Sequence, residues 1–164
     1  MPGARATISD WANHLSTIFP EVRLKRYLEM RGADSGALRN LLALPALWVG
    51  ILYDDTSLDA AWDLVKGWTA EDRQSLRDAV PKQGLAAAVR GRTVFEIATE
   101  ALKFANAGLR RRKHIDVEGW DESRYLEPLE DRLARGTTPA QELLDKYHGP
   151  WHGSVDPIYT DEAY

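Results

Sequence analysis

One stretch of this 164-residue chain alternates with a period of two, while most of what surrounds it carries the period of a helix. Between Val22 and Met30, with Arg31 just beyond, Arg23, Lys25, Tyr27, Glu29 and Arg31 fall on one face. Leu24, Arg26, Leu28 and Met30 fall on the other, with Arg26 breaking the apolar side. That is the pattern of a strand, and a lone strand leaves its backbone N–H and C=O groups unpaired. No second stretch alternates as well. The strand is therefore expected to take its partners from elsewhere, and the chain to be a segment of something longer. The fold class read from this is α+β, a mostly helical segment with one main β-strand.

The helices announce themselves by caps and spacing. Ser9 or Asp10 can cap a helix over Trp11 to Ile18, with Trp11, Leu15 and Ile18 on one side. Leu38 to Tyr53 reads as a buried helix, kinked near Pro45 and ended by Asp54-Asp55. Thr56 with Asp59, and Thr69 with Asp72, have the spacing of capping boxes; the second helix is expected to stop at Val80 before Pro81. Lys82 to Arg92 reads as a glycine-rich loop. Thr93 opens the best amphipathic helix, from Val94 through Leu109 to a basic end, Arg110 to His114. Asp121 to Ala134 is expected to be helical with Pro128 as its weak point. Thr138-Pro139 launches another helix, and the Gly- and Pro-containing tail from Gly149 is expected to wrap the surface.

Composition excludes several classes. Hydrophobic residues make up 44% of the chain, enough to bury a core. The net charge of -4 argues against a non-specific nucleic-acid binder. There is no cysteine, hence no disulfide framework and no thiolate chemistry. The longest apolar run, Leu41 to Tyr53, is shorter than the roughly 18 residues a membrane span needs. Residues 1 to 11 hold no apolar stretch, so no secretory signal is expected and the compartment is read as cytoplasmic.

The polar face of the strand carries the chemistry. Three cations beside one carboxylate suit a place where phosphate and a divalent metal meet: guanidinium grips phosphate or carboxylate with two hydrogen bonds, and a carboxylate can hold Mg²⁺ among waters and substrate oxygens. Phosphoryl transfer asks mainly for positioning and neutralised charge. Pattern alone favours a solvated charged face.

The run Phe19-Pro20-Glu21-Val22-Arg23-Leu24-Lys25-Arg26-Tyr27-Leu28-Glu29-Met30-Arg31-Gly32-Ala33-Asp34 resembles the signature of plant-type glutamate–cysteine ligases, a family that bacteria also carry. The similarity continues through Leu44-Pro45-Ala46-Leu47-Trp48-Val49-Gly50, Leu52-Tyr53-Asp54, Thr138-Pro139-Ala140 and Ser154-Val155-Asp156-Pro157. It implies that residues 1 to 164 are a single C-terminal segment of such an enzyme's catalytic domain, needing its upstream half. The implied fold is a glutamine-synthetase-like antiparallel half-barrel with the odd-numbered face looking inward. The implied reaction is ATP-dependent joining of the γ-carboxylate of glutamate to cysteine through a γ-glutamyl phosphate, the first step of glutathione biosynthesis. ATP and Mg²⁺ are the implied cofactors, and no nucleic acid or membrane partner is expected. By the same resemblance Glu29 is the metal ligand and Arg31 the catalytic stabiliser of negative charge. Arg23, Lys25 and Tyr27 are expected to be substrate-binding.

The sequence departs from the family twice. Ser35-Gly36-Ala37-Leu38 stands where members often have Gly-Gly-Pro-Trp, and Leu42 where plant members carry a cysteine. The first departure keeps open a carboxylate–amine ligase with another amine acceptor. The unpaired strand and the six tryptophans leave open a non-catalytic helical module that binds a protein. Other features read blandly: His148 and His152 are split by Gly149-Pro150 and lack a third ligand, Arg110 to Lys113 fit a helix end, and Trp48, Trp62 and Trp68 fit packing.

Overall fold

The computed structural model describes residues 3–34 and 36–163. The chain divides into two units, Met1–Asp34 and Ser35–Tyr164. The first joins one helix to a small antiparallel hairpin, and the second is mostly helix with a small antiparallel sheet, so the class is α+β.

In the first unit, α1 spans Ile8–Ser16. It starts earlier than the sequence pattern implied. Thr7, not Ser9 or Asp10, is the cap: its hydroxyl accepts from the Asp10 amide at 3.2 Å, and Asp10 accepts from the Thr7 amide at 2.8 Å. The acid three residues on closes a capping box and leaves Asp10 inside the first turn. After Pro20 the chain enters β1 (Val22–Leu24), turns through Lys25, Arg26 and Tyr27, and returns as β2 (Leu28–Met30). The register pairs Val22 with Met30, Arg23 with Glu29 and Leu24 with Leu28. The single long strand is thereby corrected to a hairpin. Arg26, which had no place on the apolar face, sits in the turn, and folding back lets each short strand pair with the other. None of the described residues of this unit is buried.

The second unit holds the core. α2 (Leu38–Leu52) contains Pro45, and α3 (Asp55–Val65) leaves it at 93°. Asp54 caps α3, accepting from the Ser57 amide at 2.8 Å, so the box expected at Thr56 is corrected to a cap two residues earlier. α4 (Ala70–Gln83) opens with the expected Thr69–Asp72 box but runs through Pro81. A proline in the last turn gives up one backbone bond while its φ still suits a helix. Gly84, with φ +53, ends the helix.

The expected loop holds a 3₁₀ turn at Gly84–Ala86 and a tight hairpin, β3 (Ala88–Val89) with β4 (Arg92–Thr93). Its two central residues, Arg90 and Gly91, have φ of 50° and 78°, as a two-residue hairpin turn requires. Arg90 is held there by donating to the Gly67 carbonyl at 2.9 Å and to Asp72 at 3.1 Å.

α5 (Val94–Arg112) starts at the Thr93–Glu96 capping box. A 3₁₀ turn at Glu122–Leu126 precedes α6 (Glu127–Arg135), where Pro128 is part of the first turn, so it starts the helix and does not weaken it. α7 (Pro139–His148) follows the Thr138 cap as read, and α8 (Ile158–Asp161) lies in the tail. The tail does more than wrap: Trp151 is buried, and its indole N–H donates to Asp161 at 2.8 Å. Trp62, read as packing, is exposed.

The core joins Ala46 and Ile51 of α2, Leu102, Ala105 and Leu109 of α5, and Leu126 of the 3₁₀ turn. The two helices approach so closely that a methyl group on Gly108 would overlap the Gly50 carbonyl oxygen and lie 2.9 Å from the Ser57 hydroxyl. A methyl on Gly50 would overlap the Ala105 carbonyl oxygen. No single helix among the described residues is long and apolar enough to cross a membrane.

Candidate active site on the first hairpin

The hairpin gathers three of the five residues marked by the sequence. Directly opposed residues of an antiparallel pair share a face, and so do residues two apart on one strand. Arg23 faces Glu29 across the sheet, and Arg31 follows Glu29 by two. Arg23 Nε lies 2.6 Å from Glu29 Oε2, and an Arg31 guanidinium nitrogen lies 3.3 Å from the same oxygen. The Arg31 amide also donates to the Glu21 carbonyl at 2.8 Å, extending the pairing past β2. Its guanidinium stacks on Phe19, 4.7 Å from the ring centre. The hydrogen bond from Arg23 holds the Glu29 carboxyl below its usual range, and the charges of Arg23, Lys25 and Arg31 act in the same direction.

Lys25 and Tyr27 stand apart from this group. They flank the turn, joined by a 2.9 Å bond from the Lys25 amide to the Tyr27 carbonyl, and both side chains are exposed. The turn removes them from the continuous strand face that alternation alone gave them.

The donor set can meet a phosphate and can supply one oxygen-bearing side chain to a hard cation. Arg23 and Arg31 offer forked donors, and Glu29 offers the carboxylate. Among the described residues no group of three or more His, Cys, Asp or Glu is gathered to hold a metal ion. Glu29 therefore fits Mg²⁺ as a single ligand, and further oxygens must come from water, substrate or other polypeptide.

A further charged group lies in the second unit, and the sequence reading passed over it. Arg111 grips Asp54 with two hydrogen bonds, 2.9 and 2.6 Å long, and also donates to the Ser57 hydroxyl at 2.8 Å. That hydroxyl donates to the Phe104 carbonyl at 2.7 Å. The Arg111 bonds, joined by the Ser57 amide, hold the Asp54 carboxyl far below the usual carboxylate range, and Asp54 in turn raises Arg111. This group ties the start of α3 to the end of α5. Arg112 pairs with Glu122 at 3.1 Å, so the basic run acts as a helix end, as its position implied. The Asp54-Asp55 pair was visible in the sequence only as a helix stop; its partner lies 57 positions away.

The family model for glutamate–cysteine ligase family 2 matches residues 2–161. The chain is 50% identical over all 164 of its residues to the chloroplastic glutamate–cysteine ligase of Solanum lycopersicum. It is 48% identical over the same length to that of Arabidopsis thaliana. To glutamate–cysteine ligase B, chloroplastic, of Oryza sativa subsp. japonica it is 47% identical over 99% of the chain. It spans only 30% of the tomato and Arabidopsis proteins and 32% of the rice protein. All three relatives carry chloroplastic names, which overturns the cytoplasmic expectation; the lack of an apolar stretch at residues 1 to 11 does not identify a compartment. A signature of sixteen consecutive residues, a likeness that runs in order along the whole chain and a family match over residues 2–161 agree, and the chain belongs to glutamate–cysteine ligase family 2.

Proposed function

We propose that this chain is the C-terminal portion of an ATP-dependent glutamate–cysteine ligase and contributes the Arg23–Glu29–Arg31 group to its active site. The observation that carries the reading is that group: one carboxylate and two guanidiniums brought within 3.3 Å on a hairpin, in a chain of this family. On this reading the hairpin belongs to a glutamine-synthetase-like antiparallel half-barrel completed by the rest of the enzyme. Glutamate, cysteine and ATP are the substrates, and the product is the dipeptide that begins glutathione biosynthesis.

The roles follow from charge. Glu29 would hold Mg²⁺, which would supply neutralisation of phosphate oxygens. Arg23 and Arg31 carry the forked donors that would grip the transferring phosphoryl group. Arg31, backed by Phe19, stabilises the negative charge that builds during transfer. Arg23 holds the same phosphate from the facing strand. Lys25 and Tyr27, at the turn, contact substrate from the hairpin tip. The acyl phosphate formed on glutamate is attacked by the amino group of cysteine, phosphate leaves, and the ammonium proton passes to solvent or a neighbouring base.

The test is a chimera in which this chain replaces the matching stretch of the tomato enzyme. Glu29→Gln is expected to lower glutamate-dependent ATP turnover by about 100-fold or more while the protein stays folded. Turnover near that of the parent chimera at saturating Mg²⁺ would falsify the metal role. The Ser35-Gly36-Ala37-Leu38 departure favours a second reading, a ligase with another amine acceptor; it prevails if the chimera turns over ATP with glutamate and a different amine faster than with cysteine.

A further inference from the structure

We propose that the apolar stripe of α1 is the docking face by which the first unit seats on the part of a ligase polypeptide that this chain does not contain. The inference rests on the ligase reading and adds an interface to it.

Ile8, Trp11 and Leu15 recur at spacings of three and four residues along α1, the stripe of a helix that packs on something, and Ile18 follows just past its end. Yet Ile8 is 85% exposed, Trp11 60%, Leu15 47% and Ile18 51%, and the neighbouring Phe19 is 70% exposed. The helix is locally specified, with a capping box at Thr7 and a closing bond from the Thr17 amide to the His14 carbonyl at 3.0 Å. Local caps do not stabilise nine residues on their own, because a helix of this length is marginal in water without packing. The hairpin behind it has the same deficit, since two strands alone are marginal as well.

The area decides between occupants. Nine residues of helix are roughly 13 Å long and about 10 Å wide. Nine residues are also far fewer than the roughly 20 to 30 residues a side that a stable association of separate molecules uses. A second copy of this chain is therefore a poor occupant. A polypeptide continuous with this one is a good occupant, because tethering removes most of the cost of bringing the surfaces together. The relatives supply that length: 70% of the tomato protein lies outside the matched stretch, the complement of the 30% matched. Its docking surface is expected to be an apolar groove wide enough for the Trp11 indole.

The experiment is hydroxyl-radical footprinting with mass spectrometry on the 164-residue chain and on the tomato chimera. Buried Trp151 serves as the internal control and should be shielded in both. Trp11, Leu15 and Ile18 are expected to be oxidised readily in the chain alone and several-fold more slowly in the chimera. Trp11→Ser with Leu15→Ser is expected to lower the chimera's turnover and expose α1. Glu29→Gln is expected to abolish turnover and leave the protection intact. Equal oxidation of Trp11 in the chain and the chimera overturns the proposal. So does protection in the chain alone: if it rises with concentration the occupant is a second copy, and if it does not the occupant is this chain's own helical body. A chimera that protects Trp11 but turns over no ATP supports the docking face and counts against the ligase reading alone.

Discussion

Asp54 shows how much one side chain can hold together. It caps α3, accepts both arms of Arg111, and through Ser57 reaches the α5 backbone at Phe104. Its carboxyl titrates lower in the folded chain than in the unfolded one, so its contribution to stability is complete above an unfolded value of about 4 and is lost as pH falls through the folded value. Asp54→Asn is therefore expected to lower the melting temperature at pH 7. The difference from the parent should shrink as pH is taken below about 4. A gap that stays constant down to acid unfolding would show that the carboxylate charge is not what matters. At this scale the sequence was legible where parity sufficed: Arg23, Glu29 and Arg31 share a face whether the stretch is one strand or a hairpin in this register. That Lys25 and Tyr27 lie in a turn was not legible, because period two cannot say where a chain reverses. The Asp54–Arg111 pair was not legible, because it depends on how α3 meets α5.

Local chemistry explains most of the helices. Thr69–Asp72, Thr93–Glu96 and Thr138 were readable because a cap and its amide lie within one turn. Prolines were readable as punctuation but not in their sense: Pro81 is tolerated in a last turn, and Pro128 begins a helix. What the sequence could not show is the α2–α5 seam. Gly50 and Gly108 stand in runs that read simply as helix, and their meaning appears only when two backbones are laid together. Gly108→Ala is expected to destabilise the chain by about 3 kcal/mol or more in urea unfolding, since the methyl meets backbone that cannot turn aside. Gly67→Ala, where nothing lies within 4 Å, is the control and should change stability by less than about 0.5 kcal/mol. Equal effects of the two substitutions would mean that the seam opens easily.

Across the whole molecule, stability and chemistry are assigned to different parts. Among the described residues every buried one lies in the unit Ser35–Tyr164, and the unit Met1–Asp34 contains the candidate site. Amide hydrogen exchange of the 164-residue chain should reflect this. The amides of α2 and α5 are expected to exchange most slowly, and those of α1, β1 and β2 fastest, near the rate of open chain. Slow exchange in β1 and β2 would show that the hairpin is stable by itself. The α+β class was legible from the one alternating stretch. The division of labour was not, because alternation and caps report local order and are silent on what a surface is pressed against.

A hairpin with no fully buried residue is marginal by itself and keeps its carboxylate and guanidiniums in working order only when something else steadies it. In a ligase whose remaining polypeptide lies upstream, the hairpin would gain its working geometry only on seating against that polypeptide. Completion of the fold and the onset of turnover would then be a single event.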